Sequence, residues 1–342
     1  MKKIIIMMLV TILMYNIYNA SEILTPAQYH RNPEQTYITF PEWWLVYASD
    51  EYAEFIKDKN PSDFPYFGLI GQFWSNYWKI YQITKKEYPF DIGSHVMLLT
   101  IGISTTLEYS IKSLYERTIG RLTELSRTNL HTKEDKIAYD LARDYADFIY
   151  AEPWYKFDFA SKAQQIWNQP EFNGPDKIRK IERRFFLTLE YSFKAAYAWL
   201  IKQATEASYD EQATITTVIT SGVDKAVLKQ NSRITLLNQF KNGSQLLSLP
   251  RYDAFKDAAL SLAQNGVVFY EISGNNSEIL LSYITKENWK YNLKSGTLLL
   301  TNKIITTPWL KRIIIKTPIA SLHEVLLGLK KEGAVLEHIY DY

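Results

Sequence analysis

Leu246-Leu247-Ser248-Leu249-Pro250 leads into Arg251–Gln264 and on to Asn265-Gly266, and this stretch decides the fold class. A short apolar run before a proline reads as a strand followed by a helix opener. Apolar residues recur through Arg251–Gln264 at helical spacing, Asn265-Gly266 ends the helix, and Val267–Ile272 reads as a second strand. The same grammar returns at the end of the chain. Ile313–Lys316 is a strand, Pro318 an opener, Ile319–Lys331 a helix, Gly333 a stop and Ala334–Tyr340 a strand. Between the two units, Glu278–Ile284 and Thr297–Ile305 read as strands, with turns at Asn275-Asn276 and Lys294-Ser295-Gly296. Two strand–helix–strand units of similar length imply an internal duplication. Set around one sheet, they give a split βαβ, ferredoxin-like arrangement over residues 240–342, with both helices on one face. That fold hosts many unrelated functions and names none of them.

Upstream the periodicity changes from two to three and four, so the class is α+β, with a mainly helical domain over residues 42–232. A short helix is expected over Glu51–Asp58, stopping before Asn60-Pro61. The next carries Phe67, Ile70, Trp74, Tyr77 and Tyr81 on one side and ends at Tyr88-Pro89. A third runs from Gly93 to Leu125. Thr132 with Asp135 caps a fourth, whose core stripe is Ile137, Leu141, Tyr145 and Phe148. After a break at Asn173-Gly174-Pro175 a long helix spans Asp176–Ala207, and a weaker one follows over Glu211–Leu228. Residues 21–41, with Pro26, Pro33 and Pro41, read as a linker.

Residues 1–20 have the parts of a bacterial secretory signal peptide: Lys2 and Lys3, an uncharged run from Ile4 to Met14, and Ala20 as the small residue. Tyr18 sits where a cleavage site prefers a small side chain, so an uncleaved N-terminal anchor is the alternative. Either outcome implies export to the periplasm or cell envelope. Without any cysteine, a lipoprotein anchor, disulfides, thiol nucleophiles and Cys-ligated metals are excluded.

Inside the helical region one pattern repeats. Thr106-Leu107-Glu108-Tyr109-Ser110 is echoed by Thr188-Leu189-Glu190-Tyr191-Ser192, with Lys112 and Tyr115 matched by Lys194 and Tyr197. On a helix, residues four and seven apart share a face, so Glu108–Lys112–Tyr115 and Glu190–Lys194–Tyr197 form two equivalent stripes. Each stripe is a surface ion pair at its simplest. If the helices pack together, the stripes line a polar cleft in which the carboxylates serve as acid and base or hold a charged ligand. Ile92–Leu107 is uncharged, but it is short for a membrane span of about 20 residues and holds His95, Ser104, Thr105 and Thr106. Its charged counterpart helix argues for a buried core helix instead.

Other candidates are weaker. Glu42-Trp43-Trp44 places a carboxylate beside two indoles, which suits sugar stacking or, more simply, a helix start with buried tryptophans. The five histidines show no metal-ligand spacing, and no phosphate loop, nucleophile elbow or dinucleotide fingerprint is present, so neither metal nor cofactor is expected. Net charge of +2, with no basic stripe, gives no reason to expect nucleic acid. Aromatics make up 15% of the chain, in part a reflection of its composition bias toward Lys, Ile and Asn, and in part material for an interface.

These observations favour a non-enzymatic envelope protein of binding type, whose aromatic-rich helical domain takes a protein partner or an apolar ligand such as a lipid or glycan. Two rivals stand beside it. One is a cell-wall glycan hydrolase with Glu108 and Glu190 as paired carboxylates and Trp43 and Trp44 as platform. The other is a membrane-embedded helical domain with a polar Glu/Lys pathway.

Overall fold

A computed structural model describes residues 25–31, 33–129, 131–168, 175–208, 215–292 and 295–340. The helical half comes first: α1 Pro33–Asp58, α2 Tyr66–Glu87, α3 Ile92–Tyr115, α4 Arg121–Leu125, α5 Lys133–Ile149, α6 Phe159–Gln165 and α7 Lys177–Ser208. A single π-helical turn, Glu116–Gly120, joins α3 to α4 without a break in direction. Local chemistry sets the ends. Asp91 accepts from the backbone N–H groups of Gly93 and Ser94 at the start of α3, and Thr132 and Asp135 form the expected capping box on α5. The break at 173–174 lies outside the described residues.

α1 begins nine residues earlier than the linker reading allows, and runs through Pro41. Its early turns bury Tyr37, Ile38 and Phe40, and this burial outweighs the cost of a proline inside the helix. α1 is the centre of the helical half, packed on α2, α3 and α5, while α5 in turn packs on α7.

The C-terminal half is antiparallel throughout and contains two four-stranded sheets. The first is built from β1 Ile215–Ser221, β2 Thr235–Gln239, β3 Gln245–Pro250 and β4 Val268–Ile272, with α8 Lys225–Gln230 and α9 Asp253–Gln264 between strands. Its order is β2-β3-β1-β4. The second contains β5 Glu278–Lys286, β6 Thr297–Lys303, β7 Leu310–Pro318, α10 Leu322–Lys331 and β8 Val335–Ile339, in the order β6-β7-β5-β8.

Counting strands within each module, both sheets share one order, that of the ferredoxin-like split βαβ. The second module has no helix between its first two strands among the described residues. The fold class is therefore α+β as expected, but the duplicated strand–helix–strand units do not share a sheet. Each is the second half of its own module. The helix expected over 211–228 had concealed the first strand, and Ile215–Ser221, rich in Thr, Val and Ile, is β1 instead.

The modules share one core. Val218, Leu247 and Phe269 from the first and Leu281, Ile313 and Ile315 from the second close around Phe255 and Leu262 of α9 and Leu322 and Leu326 of α10. The second sheet is also covered on its other face, where Leu280, Leu300, Ile314 and Tyr340 meet Tyr37, Phe40, Trp43 and Tyr47 of α1. Burial on both faces explains why Ile313-Ile314-Ile315 is continuously apolar rather than alternating. Polar ties cross the same seam: Arg312 bridges Glu51 and Glu337, and the Tyr47 hydroxyl bonds Ser282 and Tyr340.

Candidate functional site

The two repeat helices meet. α3 and α7 run antiparallel, and their charged stripes interlock. The Lys112 ammonium donates to Glu190 Oε1 at 2.9 Å, and Lys194 donates to the same oxygen at 2.9 Å. Lys194 also lies 2.8 Å from Glu108 Oε1. Each lysine thus reaches the glutamate of the other helix, a reciprocal exchange that follows from the repeat. Lys112 sits 4.0 Å above the Tyr52 ring, and Lys194 lies against Tyr145 and Tyr191.

The ladder continues beyond the repeat. Arg183 makes a fork to Glu116, with bonds of 2.9 and 3.0 Å, and also contacts Glu182. Arg179 bridges Asp135 and Glu182, and Arg184 pairs with Glu134 at 2.9 Å. All three arginines are fully buried. The π turn serves this packing: a Cβ on Gly120 would stand 2.5 Å from Glu116 Oε2, so only glycine leaves room for the carboxylate.

Burial acts to raise the Glu190 carboxyl, but Lys112 and Lys194 overcome it and bring the pKa down to about 2. Burial disfavours the charged forms of Lys112 and Lys194, yet Glu190 and Glu108 hold both above the ordinary lysine value. Acid–base work needs a pKa near the operating pH. These groups are instead locked as ion pairs at neutral pH. Between them lies a cavity of about 40 Å³ bordered by Ser49, Tyr52, Tyr145 and the four charged side chains. It has room for a few water molecules and none for a sugar ring. Glu190 Oε2, buried, has no hydrogen-bond partner among the described residues.

The remaining sequence candidates are dispersed. Tyr115 leaves the cluster to stack on Phe186 at 3.9 Å, and Tyr197 stacks on Trp154. Glu42 lies within α1 rather than at its start, and is half-buried. Trp43 is buried against His338, with ring centroids 3.4 Å apart, and Trp44 is buried against Phe73 and Tyr109. Neither indole presents a face to solvent. His95 hydrogen-bonds Tyr77 and stacks on Phe90. Among the described residues no group of His, Asp or Glu is arranged to hold a metal.

Two features escaped the sequence reading. The buried arginines were one, although Glu116 extends the Glu108–Lys112 stripe by another four residues. The second is the outer surface of the same helices. Leu107, Leu114 and Phe193 are 59%, 70% and 73% exposed. On α3 the line Ile103–Leu107–Ile111–Leu114 faces out, and on α7 so does Phe185–Leu189–Phe193. Seen from the charged seam, each helix buries Tyr109 or Tyr191 to one side and turns its apolar line to the other. In an antiparallel pair these rotations bring both lines to the same side of the pair. The helices are inverted, with charge inside and hydrocarbon outside. Among the described residues no helix is long and apolar enough to cross a membrane.

Comparison with known protein families, curated proteins and solved structures finds no match.

Proposed function

We propose that this chain is an exported, non-enzymatic docking protein of the bacterial cell envelope, which engages its partner through the outer face of α3 and α7. The observation that carries this reading is the inverted amphipathicity of the pair. Chains seldom leave so many large apolar side chains uncovered on one side of a helix pair unless the surface is used. The charged interior supports it too, since ion pairs locked at neutral pH hold two helices in register while their apolar sides stay free. The signal-like start over residues 1–20 supplies the compartment.

The test is a triple variant, Leu107→Gln, Ile111→Gln and Phe193→Gln, made in the full chain and expressed with its own N-terminus. Because all three side chains are exposed, the unfolding midpoint should stay within the small range of surface substitutions. Detergent-free envelope fractionation and light scattering should show the wild type in a complex or membrane-bound state that the variant has lost. Identical behaviour of the two proteins overturns the docking reading.

A further inference from the structure

The charge pattern around the apolar face identifies what it docks on. Of the described acidic side chains on the face-forming helix pair, including α4, Glu116, Glu124, Glu182 and Glu190 turn inward and are largely buried. Glu108, partly exposed, is already bonded to Lys194. The bases Arg117, Lys177 and Lys202 stay exposed, while Arg121, also exposed, is shared with Asp63 and Glu124. The described rim of the face is therefore basic, while its centre is apolar for about 30 Å from Ile103 to Leu122, at 1.5 Å per residue. A second copy of the chain fits poorly, because a twofold contact would bring basic rims together. An apolar face with a basic rim fits an anionic lipid surface, where the hydrocarbon enters the acyl boundary and the cations meet the headgroups. The chain also begins with Lys2-Lys3 and an uncharged run to Met14, a segment with its own affinity for a bilayer.

We infer that the α3/α7 face lies flat in the interface of an anionic bilayer, making the helical half a monotopic membrane-binding unit. This rests on the docking reading above and names its partner. The helices lie in the membrane plane rather than crossing it, so the charge ladder stays on the protein side, away from lipid.

Photo-crosslinking tests the idea on the full chain. The protein is mixed with phosphatidylcholine vesicles, with or without phosphatidylglycerol, that contain a diazirine phospholipid, and adducts are mapped by mass spectrometry. Mapping separates this face from the N-terminal segment, which carries its own adducts. The expected result is labelling within 103–122 and 185–200, at least fivefold stronger with phosphatidylglycerol, and reduced about tenfold by Leu107→Glu with Phe193→Glu. Arg117→Glu with Lys177→Glu should remove the preference for anionic lipid while leaving the unfolding midpoint in place. Adducts confined to residues 1–20 overturn the lipid assignment. If the face variants then still change the oligomeric mass by light scattering, the docking reading survives with a protein occupant. If they do not, both readings fall.

Discussion

His338 sits at the seam between the halves, stacked on Trp43 and fully buried. Neither ring nitrogen has a hydrogen-bond partner among the described residues. Burial pushes its pKa well below the usual 6.5, helped by the charges of Lys256 and Arg251. The folded chain therefore keeps the ring neutral where the unfolded chain protonates it. Stability from this group is present above pH 6.5 and is lost as pH falls toward the lowered folded value. One such group contributes a slope of about 1.4 kcal/mol per pH unit. Urea unfolding between pH 7.5 and 5 should show that slope, reduced by about this amount in His338→Phe, which retains the stack. His95 is also pushed down by burial, so the variant must be compared with the wild type rather than with a flat line. Equal slopes in both proteins would mean the ring finds a proton partner in the native state. Nothing in the sequence marked His338, because its character comes from Trp43, nearly three hundred residues away.

At the scale of elements, the coupling of α7 to α3 and its π turn rests most on Arg183 and Glu116, a pair that water does not reach. Removing Arg183 leaves the Glu116 carboxylate buried and unpartnered on that side, which costs about 3–5 kcal/mol when one partner of a buried pair is lost. Arg183→Met should lower the unfolding free energy by that order. Arg183→Met with Glu116→Leu should recover most of it, since a well-packed apolar pair is often as stable as the ion pair. A double-mutant cycle with denaturant measures the difference, and additive losses would show that the fork does not couple the helices. These elements were largely legible in sequence. The helix stops at Asn60-Pro61 and Tyr88-Pro89, the Thr132 cap and the strand–helix–strand grammar of residues 246–272 and 313–340 all follow from local chemistry. The misreadings share a cause. Pro41 lies inside a helix and Thr216-Thr217-Val218 in a strand because of packing partners far along the chain, which no local window contains. The Glu–Lys stripes were legible as stripes, but a helix with one charged and one apolar side does not say which side the fold will bury.

For the molecule as a whole, the usual rule predicts the apolar sides of α3 and α7 inward, and the structure inverts it, with Tyr52 of α1 and Tyr145 of α5 set against the lysines of the seam. Elsewhere burial is conventional, and the halves are joined by it. The central strands of the second sheet are covered on both faces, since Leu281, Ile313 and Ile315 enter the shared core and Leu280, Leu300, Ile314 and Tyr340 are covered by α1, and Arg312 is neutralised only in part by its own half, through Glu337, with Glu51 of α1 completing the set. The modules and the helices are therefore not independent folding units. Calorimetry of the full chain in mild detergent should give one transition whose calorimetric and van't Hoff enthalpies agree, although chains of this length often unfold in steps. A fragment beginning at residue 209 would expose that apolar sheet face and leave Arg312 short of one carboxylate. It should self-associate or unfold at a markedly lower temperature than the full chain. Two well-separated transitions, or a soluble monomeric fragment with an unchanged midpoint, would show instead that α1 merely rests on the sheet.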